Sequence, residues 1–337
     1  MRRFTAAVVG LGRIGQEYDF AVRGEARVLT HASAFWHHPR FELLAGVDPS
    51  PRARRRFTQK FKRAAYDDVA SLLRQHEHID VVAMAVPTAQ HREVFDELLA
   101  SRPRAMVCEK PLAATVTDGR HMVRAARAQR VSILVNYMRR FEPGTIQARE
   151  LLRSRQLGGV LKGTAWYSKG LLNAGSHFID LLRFWLGEVG EVAVLARGRS
   201  WPPQQSGRGR QIGDPEPDVR ISFGKTPVYF LAAYEEHFNL SAIELLGERG
   251  KLRYAERGET IEVRRAVRDK VFPGYTVLEA AGKLWPSDMP RYQWHVADHL
   301  YRHLTRGTPL NSDGASALKT LAVVEEIVQL LDTGKSV

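Results

Sequence analysis

The chain has 337 residues, enough for two domains and a large core. Hydrophobic residues make up 44% and charged residues 26%, and the apolar runs are short and interrupted, so the pattern excludes a membrane-spanning helix. The net charge of +13, from 50 Lys+Arg against 37 Asp+Glu, favours anionic partners such as phosphorylated cofactors or nucleotide-linked substrates. The excess is spread out, however. Its densest clusters, PRARRRF at 51–57 and GRGRQ at 207–211, are not interleaved with stacking aromatics. No helix-turn-helix or zinc pattern accompanies them, so nucleic acid is not expected as a partner and no metal site is predicted. One cysteine, Cys108, rules out an internal disulfide and points to a reducing compartment, the cytoplasm.

The first third alternates strand and helix. TAAVVGL (5–11) is an apolar strand; no small-residue cleavage site follows it, so it is not read as a leader. HASAFWHHP (31–39) predicts a helix, FELLAGVD (41–48) a strand, RARRRFTQKF and YDDVASLLRQ two helices, and HIDVVAMAVP (78–87) a strand. AQHREVFDELLAS is a helix, AMVCEKP (105–111) a strand end, TDGRHMVRAARAQ a helix and SILVNYM (132–138) a strand. Continuous apolar strands separated by helices predict a parallel sheet covered on both faces. After the helix PGTIQARELLRS the texture changes. PDVRISF, VYFLAAYEE and SAIELLGERGKLRYAERGETIEVRRA alternate apolar and polar with Gly at the bends, as antiparallel strands do. SWPPQQSGRGRQIGDPEPD (200–218) reads as a mobile loop, and ASALKTLAVVEEIVQLLDTG as a terminal helix stopped by Gly334.

VVGLGRIG sets Gly10, Gly12 and Gly15 in G-x-G-x-x-G spacing directly after the first strand. The first glycine permits the tight turn, the second lets backbone approach a pyrophosphate, and the third packs helix on strand; Arg13 and Ile14 lie inside the turn. Asp48 ends the second strand, where a carboxylate accepts from both ribose hydroxyls of NAD and repels the extra phosphate of NADP. Ser50, Arg52 and Arg54 just beyond leave the 2′-phosphate alternative open, so NAD is expected and NADP is possible. The gap from Gly15 to Asp48 exceeds the usual spacing, and the surplus EYDFAVRGEARVL is read as a loop near the cofactor. VCEKPLA puts Glu109, Lys110 and Pro111 at the carboxyl end of a strand, where open parallel sheets bind ligands. A lysine there can donate to a substrate oxygen and stabilise an alkoxide. In SKGLLNAGSHFIDLLRFW (168–185), Asn173, His177 and Asp180 share one helical face inside an apolar stretch.

Five ordered motifs now add up. GLGRIG, VPTAQH (86–91), EKPLA (109–113), YMRRFEP (137–143) and GSHFIDLL (175–182) resemble the Gfo/Idh/MocA family of oxidoreductases over nearly the whole chain. The resemblance implies an N-terminal Rossmann domain with a parallel sheet (residues 1–125). A C-terminal α/β domain with a large, mostly antiparallel sheet would follow (126–337), used for substrate binding and oligomerisation. It further implies tightly held NAD(P), hydride exchange with a sugar, polyol or nucleotide-sugar, and a homodimer or homotetramer. Pro87, Thr88 and His91 would lie along the cofactor, with Glu109 and Asn136. Lys110 would touch the reacting oxygen and His177 would be the catalytic histidine. Arg139, Tyr167, Lys169 and Asp180 would be on the substrate side. Arg140 is read as a surface ion-pair partner and Cys108 as packing.

One departure stands out. Asn173 falls where many members have aspartate, and an amide can orient a histidine but carries no charge. Three readings stay open: reduction with the proton supplied by Lys110 or His177, Asn173 as a substrate ligand beside an acid–base pair, or an NAD-binding regulatory or scaffold relative without turnover.

Overall fold

A computed structural model describes residues 3–201 and 213–333. The GRGRQ cluster and Gly334 lie outside the described residues. The chain divides into two compact units, Met1–Phe141 with Pro290–Leu321, and Glu142–Met289 with Ala322–Val337. The expected boundary between residues 125 and 126 falls inside a helix of the first unit, and that unit's last strand follows it.

The first unit runs β1 (Phe4–Val9), α1 (His31–His37), β2 (Phe41–Val47), α2 (Pro51–Phe61), β3 (Ala64–Tyr66), α3 (Val69–Gln75), β4 (Val81–Met84), α4 (His91–Leu99), β5 (Ala105–Cys108), α5 (Val116–Gln129) and β6 (Ser132–Val135). Its strands pair in parallel in the order β3-β2-β1-β4-β5-β6, the doubly wound arrangement of a Rossmann fold. The central strands are apolar at every position because helices cover both faces: all four residues of β4 and of β5 are buried. The helices start where side chains satisfy their first free N–H groups, Ser50 before Pro51, Asp68 before α3 and Thr115 before α5. The order also explains the site's location. The strand sequence reverses direction between β1 and β4, and the crevice at their carboxyl ends is where such sheets take ligands.

The second unit begins with α6 (Pro143–Arg153), β7 (Val160–Tyr167) and α7 (Ser176–Leu186). It continues through β8 (Val189–Trp201), β9 (Asp214–Phe223), β10 (Thr226–Ala232), β11 (Ala242–Gly247), β12 (Gly250–Ala255), β13 (Thr260–Arg268), β14 (Thr276–Leu278) and β15 (Lys283–Trp285). Among the described residues these strands form one sheet in the order β14-β13-β12-β11-β7-β10-β9-β8, with β15 also on β13. All its pairs are antiparallel except β7 with β10. One face of the sheet packs on α7, whose Phe178, Ile179, Leu181, Leu182 and Trp185 enter a single core with β7, β9, β10, β11 and β12. The alternation expected from the sequence is that one-sided burial. Two more helices close the chain: α8 (Tyr292–Arg306), which belongs to the first unit, and α9 (Gly314–Thr333), within which the units divide.

The expected loop from Ser200 to Asp218 lies partly outside the described residues, and its described ends are strand. Residues 199–201 end β8 and residues 214–217 open β9, since Arg199–Glu216, Ser200–Pro215 and Trp201–Asp214 are paired across the sheet. The strands β3, β8, β14 and β15 and the helix α8 were not anticipated.

Candidate active site

Four loops of the first unit stand in rank. The parallel ladder continues one residue past the strand ends: Gly10 N–H donates to Val47 O (2.8 Å), Ala85 to Val9 O (2.7 Å), Glu109 to Met84 O (3.0 Å) and Asn136 to Cys108 O (2.8 Å). The glycine turn, the segment from Ala85 to Thr88, the Glu109–Lys110 step and Asn136 therefore emerge side by side.

The glycines have distinct duties. Gly10 sits at φ 94°, and a Cβ there would lie 2.5 Å from the main chain of Ala85. A Cβ on Gly15 would lie 2.0 Å from Gly10 O, so the turn closes on itself. Gly12 has nothing within 4 Å of its would-be Cβ and is exposed, as is Arg13; Ile14 is half-buried. That open flank is the shape a pyrophosphate needs. Arg13–Glu17 continues as a single π-helical turn. The surplus segment is tied back by buried Asp19, which accepts from the N–H groups of Leu29 (2.7 Å) and Thr30 (3.1 Å) and from the hydroxyls of Thr30 and Ser33, both at 2.8 Å. Asp48 accepts one N–H on each carboxylate oxygen, from Leu11 and from Ser50, both at 2.8 Å, which ties the end of β2 to the glycine turn. Each oxygen retains a second lone pair for a ribose hydroxyl. Arg54 donates to Asp48 O (2.8 Å) and Pro49 O (2.9 Å), and Ser50 caps α2.

Glu109 is held by a closed ring of side chains. Its Oε1 accepts from Asn136 Nδ2 (2.6 Å) and meets His31 Nε2 at 2.8 Å. Asn136 Nδ2 also donates to Gln293 Oε1 (3.1 Å), and Gln293 Nε2 meets His31 Nδ1 at 2.7 Å. An amide nitrogen has only protons to offer, so His31 Nδ1 accepts and His31 Nε2 donates to Glu109. His31, Asn136 and Gln293 are each at most 2% exposed. Burial pushes the Glu109 carboxyl up, but His31, Asn136 and Lys110 more than offset it and hold it below the usual carboxylate range. The ring leaves one group over: Asn136 Oδ1 is buried with no hydrogen-bond partner among the described residues. Lys110 is half-buried and its peptide bond to Pro111 is cis.

Other predicted residues fall elsewhere. Pro87 is exposed and Thr88 half-buried at the end of the β4 loop. His91 is 1% exposed, with Nδ1 3.1 Å from Leu112 O and Nε2 3.0 Å from Val86 O. Both ring nitrogens thus face main chain, so the ring joins two loops rather than offering an edge to a cofactor. Burial holds its pKa below the ordinary histidine value. Arg140 is not on the surface: it is 4% exposed and donates to Asn311 O (2.9 Å) and Ser316 Oγ (3.0 Å). Arg139 is 9% exposed. Cys108 is fully buried in β5, and burial pushes its thiol up to about 12.

In the second unit the polar row of 168–185 sits on two pieces. Gly170–Gly175 is a π-helical turn and α7 follows it. Asn173 and His177 are half-buried, one helical turn apart. Asp180 is 1% exposed and faces Arg183 at 3.9 Å, while Arg183 binds Glu188 at 2.7 Å. That pairing makes Asp180 part of the interior. Tyr167 is likewise a core residue: its ring is fully buried, its hydroxyl donates to Pro217 O (2.5 Å), and burial raises its pKa. Lys169 is half-buried and paired with Glu235 at 2.5 Å. His31 and Gln293, which complete the ring around Glu109, were missed because nothing local in the sequence marks them.

Residues 4–137 match the Gfo/Idh/MocA family model, an oxidoreductase family with an NAD-binding Rossmann fold. That match lies within the first unit, from its first strand to Tyr137. The chain is 24% identical over 308 residues to D-apiose dehydrogenase of Rhizobium rhizogenes, a match that covers 81% of this chain and 82% of that protein. It is 25% identical over 236 residues to inositol 2-dehydrogenase of Rubrobacter xylanophilus, 63% of each chain. Matches to two further curated relatives span 52% and 54% of their lengths. In fold the chain resembles the WlbA dehydrogenase of Bordetella pertussis, crystallised with NADH and UDP-GlcNAcA. The TM-score is 0.74 at 18% identity, with 99% of this chain and 97% of that chain covered. No described helix is long and apolar enough to cross a membrane.

Proposed function

We propose that this oxidoreductase is a dehydrogenase or reductase of CH–OH groups, exchanging a hydride with a secondary alcohol or ketone of a sugar, polyol or nucleotide-sugar. One observation carries the reading: a glycine turn closed at Gly10 and Gly15 and, two strands along the same sheet edge, a lysine whose neighbour, Glu109, is locked by buried side chains. The residues present fit a dinucleotide. Gly12 leaves open space for phosphates, Asp48 keeps lone pairs for ribose, and Asn136 Oδ1 is an acceptor suited to a carboxamide N–H. Bound NAD supplies the two-electron acceptor or donor.

The chain's own residues do the rest. Lys110 donates to the reacting oxygen and stabilises charge that develops there. His177 takes or returns the hydroxyl proton. Asn173, half-buried one turn before His177, binds substrate and leaves the acid–base work to that pair. Lys169 and Arg139 are further substrate-side candidates. The first unit is the cofactor domain. The second is the substrate domain, and its sheet would make the contacts of a homodimer or homotetramer. Sugars and nucleotide-sugars are favoured by the names of the relatives and by the net charge of +13.

The test is a hydride-transfer assay with NAD and NADP against a panel of sugars, polyols and nucleotide-sugars, in both directions. Turnover of at least one class is expected, with NAD preferred. A chain that binds NADH yet turns over none of them would defeat the reading.

A further inference from the structure

The turn Gly170–Gly175 leads into the helix of His177, and its entry lies in backbone that L residues avoid. Lys169 has φ 71° and Gly170 φ 83°. The first N–H groups of the turn are met by carboxylates from β9. Gly170 N–H donates to Glu216 Oε1 at 3.2 Å. Leu172 N–H and Asn173 N–H donate to the two oxygens of Asp214, each at 2.8 Å. Asp214 and Glu216 are two apart on one strand, so their side chains leave from the same face. Glu216 is fully buried and is braced from the other side by Arg199 Nε at 2.9 Å.

The fit is steric as well as polar. A Cβ on Gly170 would lie 2.0 Å from Asp214 Cγ, so the Asp214 carboxyl fills the space that the missing side chain leaves. A carboxylate that receives two adjacent N–H groups, one on each oxygen, fixes both the position and the tilt of that peptide pair. The family's aspartate is absent from the side chain at 173. Here a carboxylate from a distant stretch of sequence is bonded to the main chain of that same residue.

We propose that Asp214 is a positioning residue: it sets the turn that carries Asn173 and opens the helix of His177, and so fixes where those two side chains meet the substrate. The inference rests on the dehydrogenase reading above. Asp214 touches no reacting atom in this scheme; it acts through the turn.

The experiment uses the full chain, the variants Asp214→Ala, Asp214→Asn and Gly170→Ala, and the double variant that combines Asp214→Ala with Gly170→Ala. It measures kcat and KM for a sugar substrate from the panel, NADH binding by fluorescence, thermal unfolding, and amide exchange over residues 170–176. Asp214→Ala should lower kcat/KM for the sugar about 100-fold, the scale of an ångström-sized misplacement, with NADH binding changed less than about twofold. Asp214→Asn keeps one acceptor oxygen and should fall in between, at about tenfold. Gly170→Ala pushes Asp214 away from the opposite side, so the double variant should be no worse than the poorer single one. Exchange at 172 and 173 should be slow in the wild type and fast in Asp214→Ala.

Wild-type kcat/KM in Asp214→Ala would overturn the proposal. So would an equal loss of sugar turnover and NADH binding with a lowered melting temperature, which a purely structural role predicts. A wild-type chain that binds NADH without turnover takes the proposal down with the dehydrogenase reading. Protected amides at 172 and 173 would then show that the clamp exists and that the chemistry was at fault.

Discussion

Around Glu109 in the first unit, side chains hold side chains. Glu109 is fixed by His31 and Asn136, and Gln293 closes the ring behind them. In the second unit, side chains hold main chain: Asp214 and Glu216 grip the N–H groups of a turn and leave Asn173 and His177 to follow from it. The contrast shows two ways to preorganise a polar group. A buried ring specifies one charge state and one tautomer, because each member must be satisfied by the next. A backbone clamp specifies a location and leaves the side chains on it their own chemistry. In the function proposed above, the first arrangement serves the end of the reaction where the cofactor sits. The second suits the end that must match a particular substrate.

The largest effect that would test this division is at the lysine the ring supports. Lys110→Ala should lower kcat by about 10³-fold, the range of a lost proton donor and charge stabiliser, with NADH still bound. Activity near that of the wild type would remove the first unit's ring from the chemistry altogether. Breaking the ring itself comes next. Gln293→Leu strips His31 of its donor and Asn136 of its acceptor, and should cost about 1–3 kcal/mol in urea unfolding. The same variant should reduce kcat by a smaller factor than Lys110→Ala; an unchanged midpoint would mean that the ring does not contribute to the stability of the fold.

A pH measurement sharpens the contrast further. The Glu109 carboxyl lies below its ordinary value of 4.5 in the folded chain, so its ionised form stabilises the fold above that pH. This contribution is lost as pH falls through the lower folded value. Urea midpoints followed into acid should decline more steeply for the wild type than for Glu109→Gln over that window. Parallel curves would show that the ring does not favour the charged carboxylate. The smallest expected effect is at Asp48. Asp48→Ala should narrow the preference for NAD over NADP by about tenfold or less, read from the two kcat/KM values. Unchanged selectivity would leave Asp48 as a brace for the glycine turn alone.

What the sequence made legible follows the range of the interactions. The phosphate turn is local, so Gly10, Gly12 and Gly15 announce it, and the apolar runs of β1, β4 and β5 announce buried parallel strands. β3 has only three residues and no periodicity to read. Much of β8 is exposed and does not alternate cleanly. The ring around Glu109 joins residues 31, 109, 136 and 293, and the Asp214 clamp spans 41 residues to Asn173. Neither leaves a pattern in any short window. Tyr167 and Asp180 were expected from their place beside a motif; the structure adds partners that no short window shows, Pro217 O and Arg183.

Gln293 has a consequence for biosynthesis. The first unit is interrupted in the chain, and its segment from Pro290 to Leu321 is made only after the whole stretch from Glu142 to Met289. As the nascent chain leaves the ribosome, residues 1–141 emerge with the phosphate turn complete but with His31, Asn136 and Glu109 waiting for an amide not yet translated. A chain stopped at 141 would carry a dinucleotide fingerprint without α8 and without the residue that closes the ring. Excision of this domain for engineering should therefore graft 290–321 back onto it.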